Sequence, residues 1–325
     1  MITTPASAIT KAASKQTYYT IRFLVDRERV NDAYRAYAYF RWVDDVLDAE
    51  SASGPERSVF LERQKSLLEK CYRGEAPRDA NIQEQMLVEL IQHDCEKNSG
   101  LQTYLRNMMQ VMDFDARRRG GLISHVELNE YTRWLATAVM ECIHYFIGHG
   151  EFAPHDETRY LAVSGAHITH MLRDTFDDTQ IRYYNVPREI LEGNHIGPQD
   201  VQSDGYRAWV KSRVQLAREY FEVGKSYFGR VQNLRCRLAC FAYIARFEWL
   251  LDTIEREGYS LRPQYSERKS VSIGLQMIWL GLFAHRLSLA PGQSAFCVEL
   301  HRERSATYDG SLDKSQPEWG TNKIT

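Results

Sequence analysis

No stretch of this chain alternates apolar and polar residues over about four to eight positions between turn signals, so a sheet is excluded as its organising element. A Gly-rich phosphate loop, a G-x-S-x-G elbow and an H-E-x-x-H pair are also missing, which argues against P-loop, α/β-hydrolase and zincin chemistry. No unit repeats at a fixed period, so the chain is not a solenoid. Cysteine is sparse: Cys71, Cys95, Cys142, Cys236, Cys240 and Cys297 are scattered through helical patterns, and only Cys236 and Cys240 are close. Without a second pair at zinc spacing they read as reduced, packed thiols, as in a cytoplasmic protein. Charge of one sign is not in excess, the formal net charge being −2, so nothing global points to nucleic acid. Residues 1–13 have no apolar signal core, so secretion is not expected. The longest apolar run, Ile273 to Ala284, contains Gln276 and is too short to span a bilayer. Peripheral contact with a membrane is compatible with all of this.

What is present is helical period upon helical period. Of the 325 residues, 43% are hydrophobic, enough for a sizeable core. Amphipathic helices are predicted from near Ser14, through Arg41–Asp48, and over 57–72, 82–95, 101–117 and 126–148. Others follow over 157–179, 206–231, 235–258 and 270–287. Gly/Pro/Ser clusters at 51–55, 74–77, 120–121 and 148–154 punctuate them, and 193–204 reads as a long loop. The expected architecture is an all-α, single-domain helical bundle over 14–290 around a central cavity, with mobile tails at 1–13 and 302–325.

Within that pattern, His167-Ile-Thr-His170-Met-Leu-Arg173-Asp174-Thr-Phe-Asp177-Asp178 is set apart by its chemistry. Positions 167, 170, 174 and 178 fall along one helical face, which therefore carries two imidazoles and two carboxylates. Leu161, Ile168 and Leu172 make the helix a packed one, and carboxylates on a packed face are costly without a cation between them. Tyr34, Tyr37, Arg41, Asp44 and Asp48 mark a second face of the same kind, about 130 positions earlier. One aspartate pair at i, i+4 is ordinarily a solvated face. Two such pairs, each just after an arginine, point to hard oxygen ligands for Mg²⁺. If the two helices face each other, their metals and the arginines suit a diphosphate. Tyr37, Phe40, Tyr131 and Phe146 would line an apolar, aromatic cavity beneath it. A polyanion site above such a cavity describes an isoprenyl diphosphate, whose departing diphosphate the metals would stabilise. The aromatic walls would stabilise the allylic cation and exclude water.

These residues also carry a family resemblance. Asp44-Asp45-Val-Leu-Asp48 after Tyr-Phe-Arg41 resembles the first aspartate-rich motif of the squalene/phytoene synthase family. Leu172-Arg173-Asp174-Thr-Phe-Asp177-Asp178, with Arg182-Tyr183-Tyr184-Asn-Val-Pro187 after it, resembles the second. Tyr131-Thr-Arg-Trp-Leu-Ala136 is similar to the segment whose first tyrosine is implicated in catalysis. Thr17-Tyr18-Tyr19 and Leu251–Tyr259, with Arg268-Lys269, are similar to the family's early and C-terminal segments. The resemblance spans about residues 14 to 285. It implies an isoprenoid-synthase fold and Mg²⁺-dependent head-to-head coupling of two prenyl diphosphates through a cyclopropyl intermediate. The implied site has Asp44, Asp48, Asp174 and Asp178 on metal, Tyr131 in catalysis, and Arg41, Arg173 and Lys269 on diphosphate. His170 and His167 are candidates for further metal contact. NADPH use is left open: a Rossmann fingerprint is missing, yet the family's reductive members bind NADPH without one.

The departures from the family pattern lie beside the metals. His167 and His170 stand where Gln and Asn are usual, and imidazole is a softer ligand than Mg²⁺ prefers. Thr137 and Met140 replace small glycines after Tyr131, and Phe247 replaces a tyrosine. The alternative reading is therefore retained ionisation with a changed outcome, either prenyl transfer to another acceptor or terpene cyclisation. A non-catalytic assembly factor is a third reading, which loss of the aspartates would favour; all four are present.

Overall fold

Helix starts in this chain are written as capping boxes. Ser53, Asn81 and Ser124 each accept a hydrogen bond from the amide three residues on, and Glu56, Glu84 and Glu127 reach back to the cap's own amide. The computed structural model describes residues 4–49, 53–75 and 78–265. Its helices are α1 Pro5–Ala13, α2 Lys15–Leu24, α3 Val30–Asp48, α4 Gly54–Tyr72, α5 Ile82–Gln92 and α6 Gly100–Arg118. After them come α7 His125–Phe146, α8 Leu161–Gln180, α9 Arg188–Asn194, α10 Asp204–Gly229 and α11 Leu234–Arg256. Among the described residues no strand forms; a single parallel bridge joins Ile123 to Pro187. The all-α expectation holds. No helix of the described residues is long and apolar enough to cross a membrane.

Two expectations are corrected. Residues 5–13 are not a loose leader. Thr4 caps the Ser7 amide at 3.3 Å, and α1 packs on α3 with Ala6 and Thr10 buried. The segment before Asp204 is shorter as a loop than expected, because α9 forms after Pro187 and ends where His195 turns left-handed at φ 54°. Lys269, the expected helix over 270–287 and the tail over 302–325 lie outside the described residues.

The site is positioned by α3, α6, α7, α8 and α10. α6 lies along α7, which contacts α8, and α8 lies along α10. Large side chains seal these seams: Tyr39, Leu105, Phe221, Tyr227 and Phe247 are fully buried, each contributing about 1.5–3 kcal/mol by area removed from water. At the entry to α8, Arg159 donates from Nε and Nη2 to Glu141 of α7 at 2.8 and 3.0 Å. Tyr160 donates to the same carboxylate at 2.9 Å, so this buried charge is fully partnered.

The α8–α10 seam depends on two glycines. A Cβ at Gly165 would lie 3.0 Å from the Ala217 carbonyl oxygen, and one at Gly224 would lie 2.5 Å from the Ala162 Cβ. Close approach of backbone to backbone, not helix propensity, therefore selects glycine here. Gly224→Ala should cost about 1–3 kcal/mol in urea unfolding, despite alanine's better helix propensity. Ala162→Gly added to it should restore most of that loss, since the methyl then has room. A single variant as stable as the parent would show that the seam simply relaxes.

Candidate active site

The α3 register sets Arg41, Asp44 and Asp48 on one face, with Phe40, Val43 and Leu47 buried on the other. Arg41 pairs with Asp44 at 3.3 Å and also with Asp45. On α8, Arg173 grips the adjacent Asp174 through both carboxylate oxygens. Its other face buries Ile168, Met171 and Leu172.

What draws these two helices into one electrostatic system is a residue of α6. Asp115 interacts with Asp48, and it in turn raises Asp44 of α3 and Asp178 of α8. Burial and Asp48 push the Asp44 carboxyl up to about 6, against the pull of Arg41. Burial and Asp174 push Asp178 up to about 6, against Arg118 and a hydrogen bond from Asn185. Burial likewise raises Asp115, opposed by Arg118 and Tyr131. Burial first, and the neighbouring carboxylates of three helices after it, thus disfavour the charged forms here.

Arg118, one turn after Asp115, is what offsets part of it. Its Nε donates to Asp115 Oδ1 at 2.8 Å and its Nη1 to Asn185 Oδ1 at 2.9 Å. Asn185 Nδ2 passes the link to Asp178 Oδ2 at 2.7 Å. The guanidinium also lies over the rings of Tyr131, Tyr183 and Phe114, at 5.0, 5.1 and 5.6 Å from their centroids. Tyr131 donates to Asp115 Oδ2 at 2.9 Å, and Tyr183 donates to the Asp115 backbone carbonyl at 3.1 Å. Burial and Asp115 hold the Tyr131 phenol well above its ordinary value, so it keeps its proton. Tyr183 and Asn185 reach α6 because Arg182 takes a left-handed φ of 65°, with its carbonyl accepting from the Gly120 amide at 2.9 Å.

The two histidines are placed differently. His170 meets the edge of Phe247 at 4.6 Å between centroids. His167 is buried against Tyr131, at 5.1 Å, and Nε2 has no hydrogen-bond partner among the described residues. Burial, His170 and the nearby Arg118 and Arg213 depress its pKa to about 3. Phe40 and Phe146 are buried in the core, and Thr137 lies half-buried on α7 with Met140 fully buried one turn on. Asp115, Arg118 and Asn185 were not singled out from sequence. Their signal was faint: an acid and a base at i, i+3 just before Gly120-Gly121, and an amide between two tyrosines and a proline.

Among the described residues no three His, Cys, Asp or Glu side chains close into a preformed metal cage. The donor set nevertheless fits Mg²⁺, which keeps several waters and takes one or two carboxylates plus substrate phosphate. Carboxylates raised to about 6 by burial, and then by one another, are ones that a divalent cation would relieve.

The helical architecture and its carboxylate-bearing face define an isoprenoid-synthase type of fold. The profile of the squalene/phytoene synthase family matches residues 10–273, and the chain belongs to that family. It is thus a prenyltransferase by class. Among solved structures it is similar to the squalene synthase HpnC from Alicyclobacillus acidocaldarius, at 21% identity and a TM-score of 0.63, covering 79% of this chain and 94% of that one. It is also similar to a dehydrosqualene synthase in complex with ligand, at 17% identity and a TM-score of 0.66, covering 85% and 94%. No curated protein matches the chain by sequence.

The raised carboxylates carry a sign. Asp44 and Asp178 bind protons more tightly folded than unfolded, so their contribution to stability is present at low pH and lost as pH rises through about 6. The metal-free protein should therefore gain thermal stability relative to Asp178→Asn as pH falls from about 7.5 to about 5. At the upper pH, Mg²⁺ should raise the melting temperature of the parent more than that of the variant. Superimposable pH and Mg²⁺ responses of the two proteins would remove Asp178 from the acidic cluster.

Proposed function

We propose that this protein ionises an allylic prenyl diphosphate and couples two prenyl diphosphates head-to-head, with Mg²⁺ held by Asp44, Asp48, Asp174 and Asp178. The observation that supports this most is the electrostatic link of α3 and α8 through Asp115, with Asp44 and Asp178 raised together. When bound, the metal neutralises the departing diphosphate as the allylic C–O bond breaks. Arg41 pairs with Asp44 and Asp45 and Arg173 with Asp174; with metal held by Asp44 and Asp174, both guanidiniums would be available to diphosphate oxygens. Tyr131 is protonated and fixed by Asp115, and we assign it to the wall against which the reacting chain lies. In this reading it stabilises the allylic cation and moves a proton in company with Asp115. His170, beside Phe247 and one turn before Asp174, completes the metal or diphosphate shell where the family usually has Asn. We place the reaction in the cytoplasm, with the apolar product leaving toward a membrane surface. A changed acceptor is the second reading. Fully buried Met140 and half-buried Thr137, in place of glycines, favour it by filling space that a second prenyl chain would use.

Incubation with Mg²⁺ and farnesyl or geranylgeranyl diphosphate, with and without NADPH, separates these outcomes by product. Asp174→Asn should lower diphosphate release by about 10²–10³-fold while circular dichroism and melting stay near the parent's. Retained turnover would sink the metal assignment. Tyr131→Phe should slow product formation by about 10²-fold or more and leave KM within a few-fold, as expected of a group acting in the transition state. Equal kinetics would reduce Tyr131 to packing.

A further inference from the structure

Helix α11 starts at Leu234, which puts Cys236 in its first turn. Asn233 Oδ1 caps the Cys236 amide at 2.8 Å, and the positive end of a 23-residue helix favours an anion there. Cys240 follows one turn later, and both side chains are buried. From α7, His144 Nδ1 reaches the Cys236 sulfur at 3.9 Å, within range of a hydrogen bond to sulfur. Its Nε2 lies 2.9 Å from Tyr227 Oη. That hydroxyl donates to the Pro154 carbonyl at 3.1 Å and accepts from Arg159 Nη1 at 3.4 Å, which assigns Nε2–H as a second donor to it. Nδ1 and the Cys236 sulfur then share a single proton, as thiol beside imidazole or thiolate beside imidazolium.

The surroundings bias the pair toward thiolate. A hydrogen bond from the Cys240 thiol, with His144 and Arg159 and against burial, brings Cys236 down to about 6. Cys240 is pushed well above the usual thiol range by the same bond and by burial. Tyr227 and Tyr243 also face the two sulfurs; burial raises both phenols, which keep their protons. The charge of Arg159 is matched by Glu141. The other described cysteines lack this setting: burial raises Cys71 and takes Cys142 up to about 12, while Cys95 is exposed. His144 lies thirteen residues past Tyr131 on α7, about 20 Å along the helix, so the cluster is separate from the acidic site.

We propose that Cys236 is a modification site, a thiolate that hydrogen peroxide oxidises to the sulfenic acid with His144 as proton donor. The sulfur attacks one peroxide oxygen; the S–O bond forms as the O–O bond breaks, so sulfur loses two electrons and peroxide gains them. The departing hydroxide takes the Nδ1 proton and leaves as water, and the imidazole is neutral again. Peroxide suits a buried sulfur because it is uncharged and small. Leu234 and Arg235, the first two residues of the same turn, are exposed, so fraying of that turn admits it. Cys240 does not close a disulfide onto the product: Cβ atoms four residues apart on a helix are about 5–6 Å apart, and a disulfide needs about 3.5–4.5 Å.

The test treats the full chain with hydrogen peroxide at about pH 6, stops the reaction with catalase, and unfolds the protein in urea containing dimedone. Peptide mass mapping then reads each cysteine by itself, and the dimedone adduct marks sulfenic acid formed in the folded protein. Cys236 should be labelled at least about 5-fold faster than the exposed Cys95, since its thiolate fraction outweighs the weaker nucleophilicity of a low-pKa sulfur. His144→Gln should slow labelling of Cys236 by about 10-fold or more and leave Cys95 within about 2-fold. A second pair of variants keeps His144 in place: Cys240→Ser, which still donates to Cys236, should be labelled at least about 3-fold faster there than Cys240→Ala. Melting temperatures of all the variants establish that each is folded. Cys236 labelled no faster than Cys95, a folded His144→Gln as reactive as the parent, or equal rates in the two Cys240 variants overturns the proposal. So does a Cys236–Cys240 disulfide in place of the sulfenic acid.

Discussion

The acidic centre of this protein exists because one guanidinium tolerates it. Carboxylates from α3, α6 and α8 raise one another, and Arg118 is the cation fixed among them. Its fork geometry matters as much as its charge. One arm holds Asp115 and another holds Asn185, which holds Asp178, so a single planar group sets the distance between α6 and the end of α8. Three aromatic rings around it limit its motion and shield its charge from water. The compensation is partial, and the remaining negative charge is the reason a divalent cation fits.

The rest of the scaffold serves to hold that arrangement rigid. Backbone contact at Gly165 and Gly224 brings α10 against α8 more closely than side chains would permit. The Arg159–Glu141 pair locks the entry of α8 to α7, so the helix bearing Asp174 and Asp178 is anchored at its far end. At the chain reversal, the left-handed turn of Arg182 is what lets Asn185 and Tyr183 reach back to α6.

Polarity inside the bundle is graded. At the acidic end, charges are mutually hydrogen-bonded and half-exposed. Deeper, His167 Nε2, Trp209 Nε1 and Arg213 Nε are enclosed and have no hydrogen-bond partner among the described residues. A hydrocarbon-binding interior would be expected to lack such groups. Of these groups, His167 lies against Tyr131.

The all-α class, the two aspartate helices and their register followed from periodicity and spacing alone, because helical geometry converts i, i+4 spacing into a shared face with no knowledge of the neighbours. Capping boxes at Ser53, Asn81 and Ser124 were equally local. The family motifs located Tyr131, Arg41 and Arg173 for the same reason: each lies within a turn or two of the residues that define its motif. Asp115, Arg118, Asn185 and Arg213 were decided by tertiary structure. An acidic and a basic residue at i, i+3 read as an exposed pair until α3 and α8 are brought against α6. Likewise α1 looked like a loose end because its stability comes from α3, not from its own nine residues. Which arginine is paired depends on burial and on partners as far as 67 residues away, as between Arg118 and Asn185, and no local pattern encodes either.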